Sequence, residues 1–275
     1  MRVSPNSTLS TLIANLRKHG EEQEGALSQL SSGKRIEKAA DDSAGLAHAT
    51  KLKATVRSQR QATRNANDGI SFVQTAEGGL NEISNVLIRL REISVQASTD
   101  TVGETERGFL DTEYQSLVEE VDRIANATSF NGTNVINGEG RGVMDFHIGA
   151  NAGEENVIQF DTDSNYTDTS TLGIDGTGVT DKDGALDNIA YLDDAIERVG
   201  GQRAYLGAIQ NRLHHASQNL ETSTINHEAT RAKIEDADIA EVSAKLTLSN
   251  LKQTSAMKTL SEGIDFSSAV YRLLG

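Results

Sequence analysis

One hydrophobic signal recurs along most of this chain. Leu9, Leu12, Ile13 and Leu16 fall at i, i+3, i+4 and i+7, the spacing of a single helix face. Ile83, Val86, Leu90, Ile93 and Ala97 alternate steps of three and four, as do Leu206, Ile209, Leu213, Ala216 and Leu220. Ile189, Leu192, Ile196 and Val199 lead into the second of these runs, and the C-terminal run keeps Leu246, Leu260 and Leu273 among its spaced apolar positions. Sustained three-four spacing with charge outside the stripe predicts coiled-coil-like packing.

The breaks in this pattern are few. The only proline is Pro5; a helix interior resists proline by about 3 kcal/mol, so long helices are unobstructed from residue 6 onward. Turn signals occur at Ser31-Ser32-Gly33, in "STDTVGET" around Gly103, and from "SFNGTNVINGEGRG" onward. In the second break, Thr101 to Glu104 has the character of a helix N-cap, with Glu106 and Asp111 early in the helix that follows. Residues 130–180 differ from both flanks, being rich in Gly, Asn, Asp and Thr. Phe146 with Ile148, and Val157 with Ile158, predict short strands joined by a loop containing Gly153.

The order predicted is three helices, a small β-hairpin insert and two helices. The class is mainly α. The first and last segments bury their stripes only by meeting, so the architecture predicted is an elongated antiparallel helical bundle or coiled coil with both termini paired at one end. Its expected parts are 1–40 with 236–275, 41–129 with 181–235, and the insert 130–180.

The stretch "NANDGISFVQTAEGGLNEI", Asn65 to Ile83, gives opposed instructions. Asn67-Asp68-Gly69 and Gly78-Gly79 signal turns, while Val73, Ala76, Leu80 and Ile83 keep helical step. Propensity alone favours breaks, because each glycine costs about 1 kcal/mol against alanine inside a helix.

Composition narrows the class. Aromatics are 4% of residues and tryptophan is absent, which implies a thin interior lined by Ala, Leu and Ile. The net charge of −14 opposes a phosphate-backbone partner, since such binding runs on clustered Lys and Arg. Arg57, Arg60 and Arg64 lie close together, but acids surround them elsewhere in the chain. With no cysteine there is no disulfide framework, thiolate metal site or cysteine nucleophile. The N-terminus lacks the apolar run and small-residue cleavage site of a secretory signal, and no stretch approaches the ~20 apolar residues of a membrane span.

Several stretches resemble bacterial flagellin, the flagellar filament subunit. "LSSGKRIEKAADDSAGLA" (Leu30 to Ala47) is similar to the family's N-terminal signature, and "RNANDGISFVQTAEGGLNEI" to the next. "LREISVQA" (Leu90 to Ala97) and "DRIANATSFNG" (Asp122 to Gly132) follow in family order. "LGAIQNRL" (Leu206 to Leu213) and "ADIAEVS" (Ala237 to Ser243) fit more loosely. The resemblance covers about residues 25–140 and 185–274.

The resemblance implies that Ser43 to Ser98 is one unbroken helix, with Gly69, Gly78 and Gly79 at close helix contacts. It implies that Leu9, Leu12, Leu16, Leu246, Leu260 and Leu273 serve helix packing and subunit contact in a polymer, within a coiled coil of the termini in the filament's inner tube. The insert of about 50 residues is too short for a large variable outer domain, so the form is minimal. The function implied is a structural one, in a secreted, extracellular filament for swimming. Its partners would be further copies, other flagellins, an export chaperone, and hook-associated and cap proteins. The alternative is a hook–filament junction protein. Matching an animal Toll-like receptor patch carries over Arg89, Ile93 and Glu113. Lys34 stands where the family commonly has an apolar residue, and Gly263 where it has a helix-friendly one.

Chemistry-bearing motifs are weak. From Asp161 the chain starts like a calcium loop with Asp163 and Asn165, but Tyr166 and Leu172 replace the glycine and glutamate such a loop needs. "GEGRG" (Gly138 to Gly142) lacks the strand and helix of a phosphate-cradling turn. His214 and His215, adjacent on a helix, point about 100° apart. The run Ser164 to Thr171 is the candidate zone for O-glycosylation that the resemblance implies. No catalytic residue, cofactor site, metal site, nucleic-acid partner or membrane insertion is expected.

Overall fold

The computed structural model describes residues 5–138, 142–162 and 166–274; for residues 5–9, 266–267 and 269–274 it describes the helix but not the side chains. The elements in order are α1 (Pro5–Ser32), α2 (Ser43–Ala97), α3 (Glu104–Ala127), β1 (Ser129–Phe130), β2 (Thr133–Asn134), β3 (Val143–His147), β4 (Val157–Asp161), a single turn α4 (Thr169–Leu172), α5 (Lys182–Glu235) and α6 (Ile239–Leu274). The expected mainly α order with a β insert is present. Residues Asn67 to Gly79 lie inside α2, so neither glycine group breaks the helix. Two compact units emerge: Met1–Thr55 with Ile225–Gly275, and Val56–Thr224.

In the first unit α1 and α6 run antiparallel. Ala237 N–H donates to the Gly33 carbonyl at 3.0 Å, and Ser249 Oγ donates to the His19 carbonyl at 2.9 Å. Among the described side chains of α6 the least exposed are Val242, Leu246, Ser249, Gln253, Ala256, Leu260 and Gly263, in strictly alternating steps of four and three. In α1 Leu12, Leu16, His19, Gln23, Ala26 and Leu30 keep the same steps, with Gly20, Ser28 and Gln29 half-buried beside them. This is a heptad seam. It is a thin one: among the described side chains of these two helices only Ala26, Val242 and Ser249 are buried.

The second unit holds a contiguous core. Val73, Ala76, Leu80, Ile83, Leu87, Leu90 and Ile93 of α2 face Tyr114 and Val121 of α3 and Leu192, Val199, Leu206 and Leu213 of α5. The insert is anchored here by aromatic packing. Phe72 meets Phe130, Phe146 and Phe160 edge-on, with ring centroids 5.7, 5.9 and 5.2 Å away, the arrangement that ring quadrupoles favour. In β3–β4 the register pairs Phe146 with Ile158 and Met144 with Phe160. One face of the hairpin thus sits on the helices, while Val143, Asp145 and His147 face outward. The expected strand extends to His147, not Ile148.

Two features were not anticipated. Asn131 and Gly132 both take left-handed backbone (φ 50° and 74°) and close a second hairpin, β1–β2, the two-residue turn that Asn-Gly favours. Beyond it, the connection into α5 is clipped to α3. Asp122 accepts from Thr169 N–H and Oγ1, both at 2.9 Å, and Asp111 accepts from Val179 N–H at 2.8 Å. At the start of α3, Gly103 occupies the N-cap position and Glu106 Oε2 accepts its N–H at 2.6 Å.

Candidate assembly surfaces

The three α2 glycines meet different surroundings. A Cβ on Gly69 would lie 3.1 Å from the Phe146 ring and 3.3 Å from Leu213 Cδ1; one on Gly79 would lie 2.6 Å from Thr128 Oγ1 and 2.9 Å from Ile136 Cδ1. Both glycines admit close approach of other elements within this chain. A Cβ on Gly78 would meet nothing within 4 Å.

The seam leucines Leu12, Leu16, Leu246 and Leu260 are half-buried between α1 and α6. The side chains of Leu9 and Leu273 lie outside the described residues. Beside the seam, large apolar groups remain uncovered: Leu27, Leu248, Leu251, Met257 and Ile264 are all exposed, Leu251 at 63%. In the second unit Phe109 is 72% exposed at a cleft of about 460 Å³ shared with Val102, Leu110 and Glu113.

Of the three residues matched to the receptor patch, the structure brings two together at the surface. Arg89 Nη2 donates to Glu113 Oε1 at 2.7 Å and Nη1 to Glu92 Oε2 at 3.0 Å. These carboxylates, Glu113 foremost, hold the guanidinium pKa above its ordinary value. Ile93 is 0% exposed in the core. Arg89 and Glu113 are thus paired at the surface, and Ile93 lies beneath them on the stripe that α2 buries.

Lys34, where an apolar residue was expected, has found a partner. Its Nζ lies 2.5 Å from Glu235 Oε1, a side chain only 11% exposed. Around this pair Arg35 N–H donates to the Glu235 carbonyl at 2.7 Å and Lys34 forms an antiparallel bridge with Asp236. Sequence spacing could not find these residues, since the partners are about two hundred positions apart.

Among the described residues no group of three or more His, Asp and Glu side chains could hold a metal ion, and no helix is long and apolar enough to cross a membrane. His214 and His215 are exposed. Asp163 and Asn165 of the calcium-like stretch, Ser164 of the glycosylation zone, and residues 139–141 of "GEGRG" lie outside the described residues. A cleft of about 460 Å³ is lined by Asp145, Glu154, Val157, Gln159 and Arg212.

Long helices joined in a thin seam with uncovered apolar faces have the form of a helical structural subunit. The chain belongs to the bacterial flagellin family. Residues 3–140 match the bacterial flagellin N-terminal helical region and residues 189–274 the C-terminal helical region. It is 36% identical over 249 residues to a flagellin of Halalkalibacterium halodurans, covering 90% of each chain. It is 33% identical over 274 residues to the flagellar filament 30.7 kDa core protein of Treponema maltophilum, covering 94% of each. In structure it is similar to the Bacillus cereus flagellin crystal structure at TM-score 0.51 and 30% identity, over 57% of this chain and 88% of that one.

Proposed function

We propose that this chain polymerises, with itself and with co-assembling flagellins, into the helical filament that a bacterial flagellum turns for swimming. The observation that carries this reading is the α1–α6 seam, which keeps strict heptad order yet leaves Leu27, Leu248, Leu251, Met257 and Ile264 exposed. Isolated helices with so little burial are marginal in water, so neighbouring copies complete them. In the polymer, residues 1–40 with 236–275 form the axial tube.

The route is export of the unfolded chain through the flagellar channel with a chaperone, then folding at the tip beneath a cap. The absence of cysteine suits that passage, because no crosslink obstructs threading. The filament is extracellular and joins hook-associated proteins at its base. Receptor recognition in an animal host, on this reading, works through Arg89 and Glu113, with Ile93 behind them.

The test is deletion of residues 1–30 or 245–275. Either truncation is expected to leave a soluble helical core, by circular dichroism, that no longer forms filaments under the electron microscope. Normal filaments from either truncation overturn the mechanism. Long filaments from the intact chain alone exclude the junction-protein alternative.

A further inference from the structure

The α1–α6 seam has two unlike edges. Glu22, Gln29, Lys245 and Lys252 each precede a seam position, and with Ala26 and Ser249 they line a cleft of about 420 Å³. That edge is polar and charged. The opposite edge of a heptad pair is formed by the residues that follow the alternate seam positions. Here these include Ile13 after Leu12, Leu27 after Ala26, Met257 after Ala256 and Ile264 after Gly263. All four are apolar and exposed. An apolar stripe widened beyond the strict seam belongs to helices that pack in more than a pair. A second copy of this chain carries the same widened stripe, so its terminal helices are the occupant that suits this edge.

One residue on this edge carries chemistry as well as area. The chain has no cysteine, no tryptophan and 3 methionines, Met1, Met144 and Met257. Met1 lies outside the described residues. Met144 is half-buried beneath the hairpin, in register with Phe160 and packed against the core. Met257 is 49% exposed. Its thioether is soft and polarizable, and among the described residues it is the sulfur open to an oxidant in water. A peroxide transfers one oxygen to it: the sulfur lone pair attacks, an S–O bond forms and the O–O bond breaks. The thioether is oxidised to a sulfoxide and hydrogen peroxide is reduced to water. The product is polar and reversible by methionine sulfoxide reductase. Covering a polar group that finds no hydrogen-bond donor is unfavourable, so the modified edge resists an apolar partner.

We infer that Met257 is an oxidant-sensitive modification site that controls whether a free subunit can join the polymer. The inference rests on the filament reading and adds a chemical control to it. In the free chain the thioether is open and peroxide converts it; in the polymer a neighbouring copy covers it and slows the reaction. The controls are built into the sequence: Met144 is shielded within its own unit, and the absence of cysteine leaves no thiol to compete for the oxidant.

The experiment treats the intact chain and Met257→Leu with hydrogen peroxide, before and after seeded polymerisation. Peptide mass spectrometry locates the added oxygen and sedimentation gives the critical concentration. Oxidising the free intact chain is expected to raise the critical concentration about tenfold, the loss of one apolar side chain from a contact, and methionine sulfoxide reductase is expected to restore it. Met257→Leu, which keeps the apolar area without the sulfur, is expected to polymerise normally after the same treatment. In intact filaments Met257 is expected to oxidise several-fold more slowly than in the free chain. Unchanged assembly of a chain oxidised at Met257, equal impairment of the treated leucine variant, or equal oxidation rates in filament and free chain overturns the proposal while the filament reading stands. Failure of the untreated intact chain to polymerise defeats both.

Discussion

The pair α1–α6 and the bundle formed by α3 with the adjoining parts of α2 and α5 use the same three-four spacing and reach different ends. In the bundle the stripe from Leu80 to Ile93 is fully buried. In the pair, Leu12, Leu16, Leu246 and Leu260 are half-buried, and His19, Gln23, Ser249 and Gln253 interrupt them. Periodicity thus identifies a helix face that seeks cover, and the number of elements around it decides whether the chain alone supplies that cover. Three helices and an aromatic-anchored hairpin suffice; two helices do not.

The same substitution in each region sharpens the contrast. Leu192→Ala in the bundle is expected to lower monomer stability by about 2–5 kcal/mol, read from urea unfolding. Leu246→Ala is expected to cost the monomer within about 1 kcal/mol and still to impair polymerisation. Equal costs in the monomer would erase the distinction. At the insert's anchor, Phe72→Ala removes the ring that touches three others and is expected to cost about 3–5 kcal/mol, with the loss of hydrogen-exchange protection greatest in β3 and β4.

Glycine probes the same difference within α2. Gly79→Val forces Thr128 and Ile136 apart and is expected to cost about 1–3 kcal/mol. Gly78→Ala meets no atom and is expected to raise monomer stability by about 0.5–1 kcal/mol, so a thermal melt that falls would contradict the open position. If Gly78 lies against a neighbouring copy, the same substitution weakens assembly despite the stabler monomer.

The smallest expected effect is on the surface ion pair of α2 and α5. Arg91 hydrogen-bonds the Asp193 carboxylate and holds its pKa below the ordinary value. A depressed carboxylate contributes stability above its unfolded pKa and loses it as pH falls through the folded one. Because both groups are exposed the contribution is slight. Arg91→Gln is expected to move the Asp193 titration midpoint upward, measured by NMR.

Much of this organisation was legible in sequence because helical spacing is local. The breaks near Gly33 and Gly103 follow from turn residues, but the unbroken run of α2 through Asn67 to Gly79 came from the family resemblance, because its glycines signal turns. The burial of Ile93 was legible too, since it keeps step with Ile83 and Leu90. The hairpin at Asn131-Gly132 carried its own turn signal, but strands of two residues give no alternation to read. Asp111, Asp122 and the Lys34–Glu235 pair were not legible. Their roles depend on partners distant in sequence, and an isolated aspartate or lysine reads as a solvated charge.

The stitching of residues 33–35 to residues 235–237 fixes phase. A slip of one residue between α1 and α6 would turn every seam position by about 100°, pointing Leu12 and Leu16 away from the α6 seam. With Gly33, Arg35, Glu235 and Ala237 joined through their main chains, that slip requires breaking backbone pairing before any leucine moves. The two terminal helices are therefore indexed to each other by main-chain bonds, so that the seam is a single toothed unit and not a pair of sliding rods.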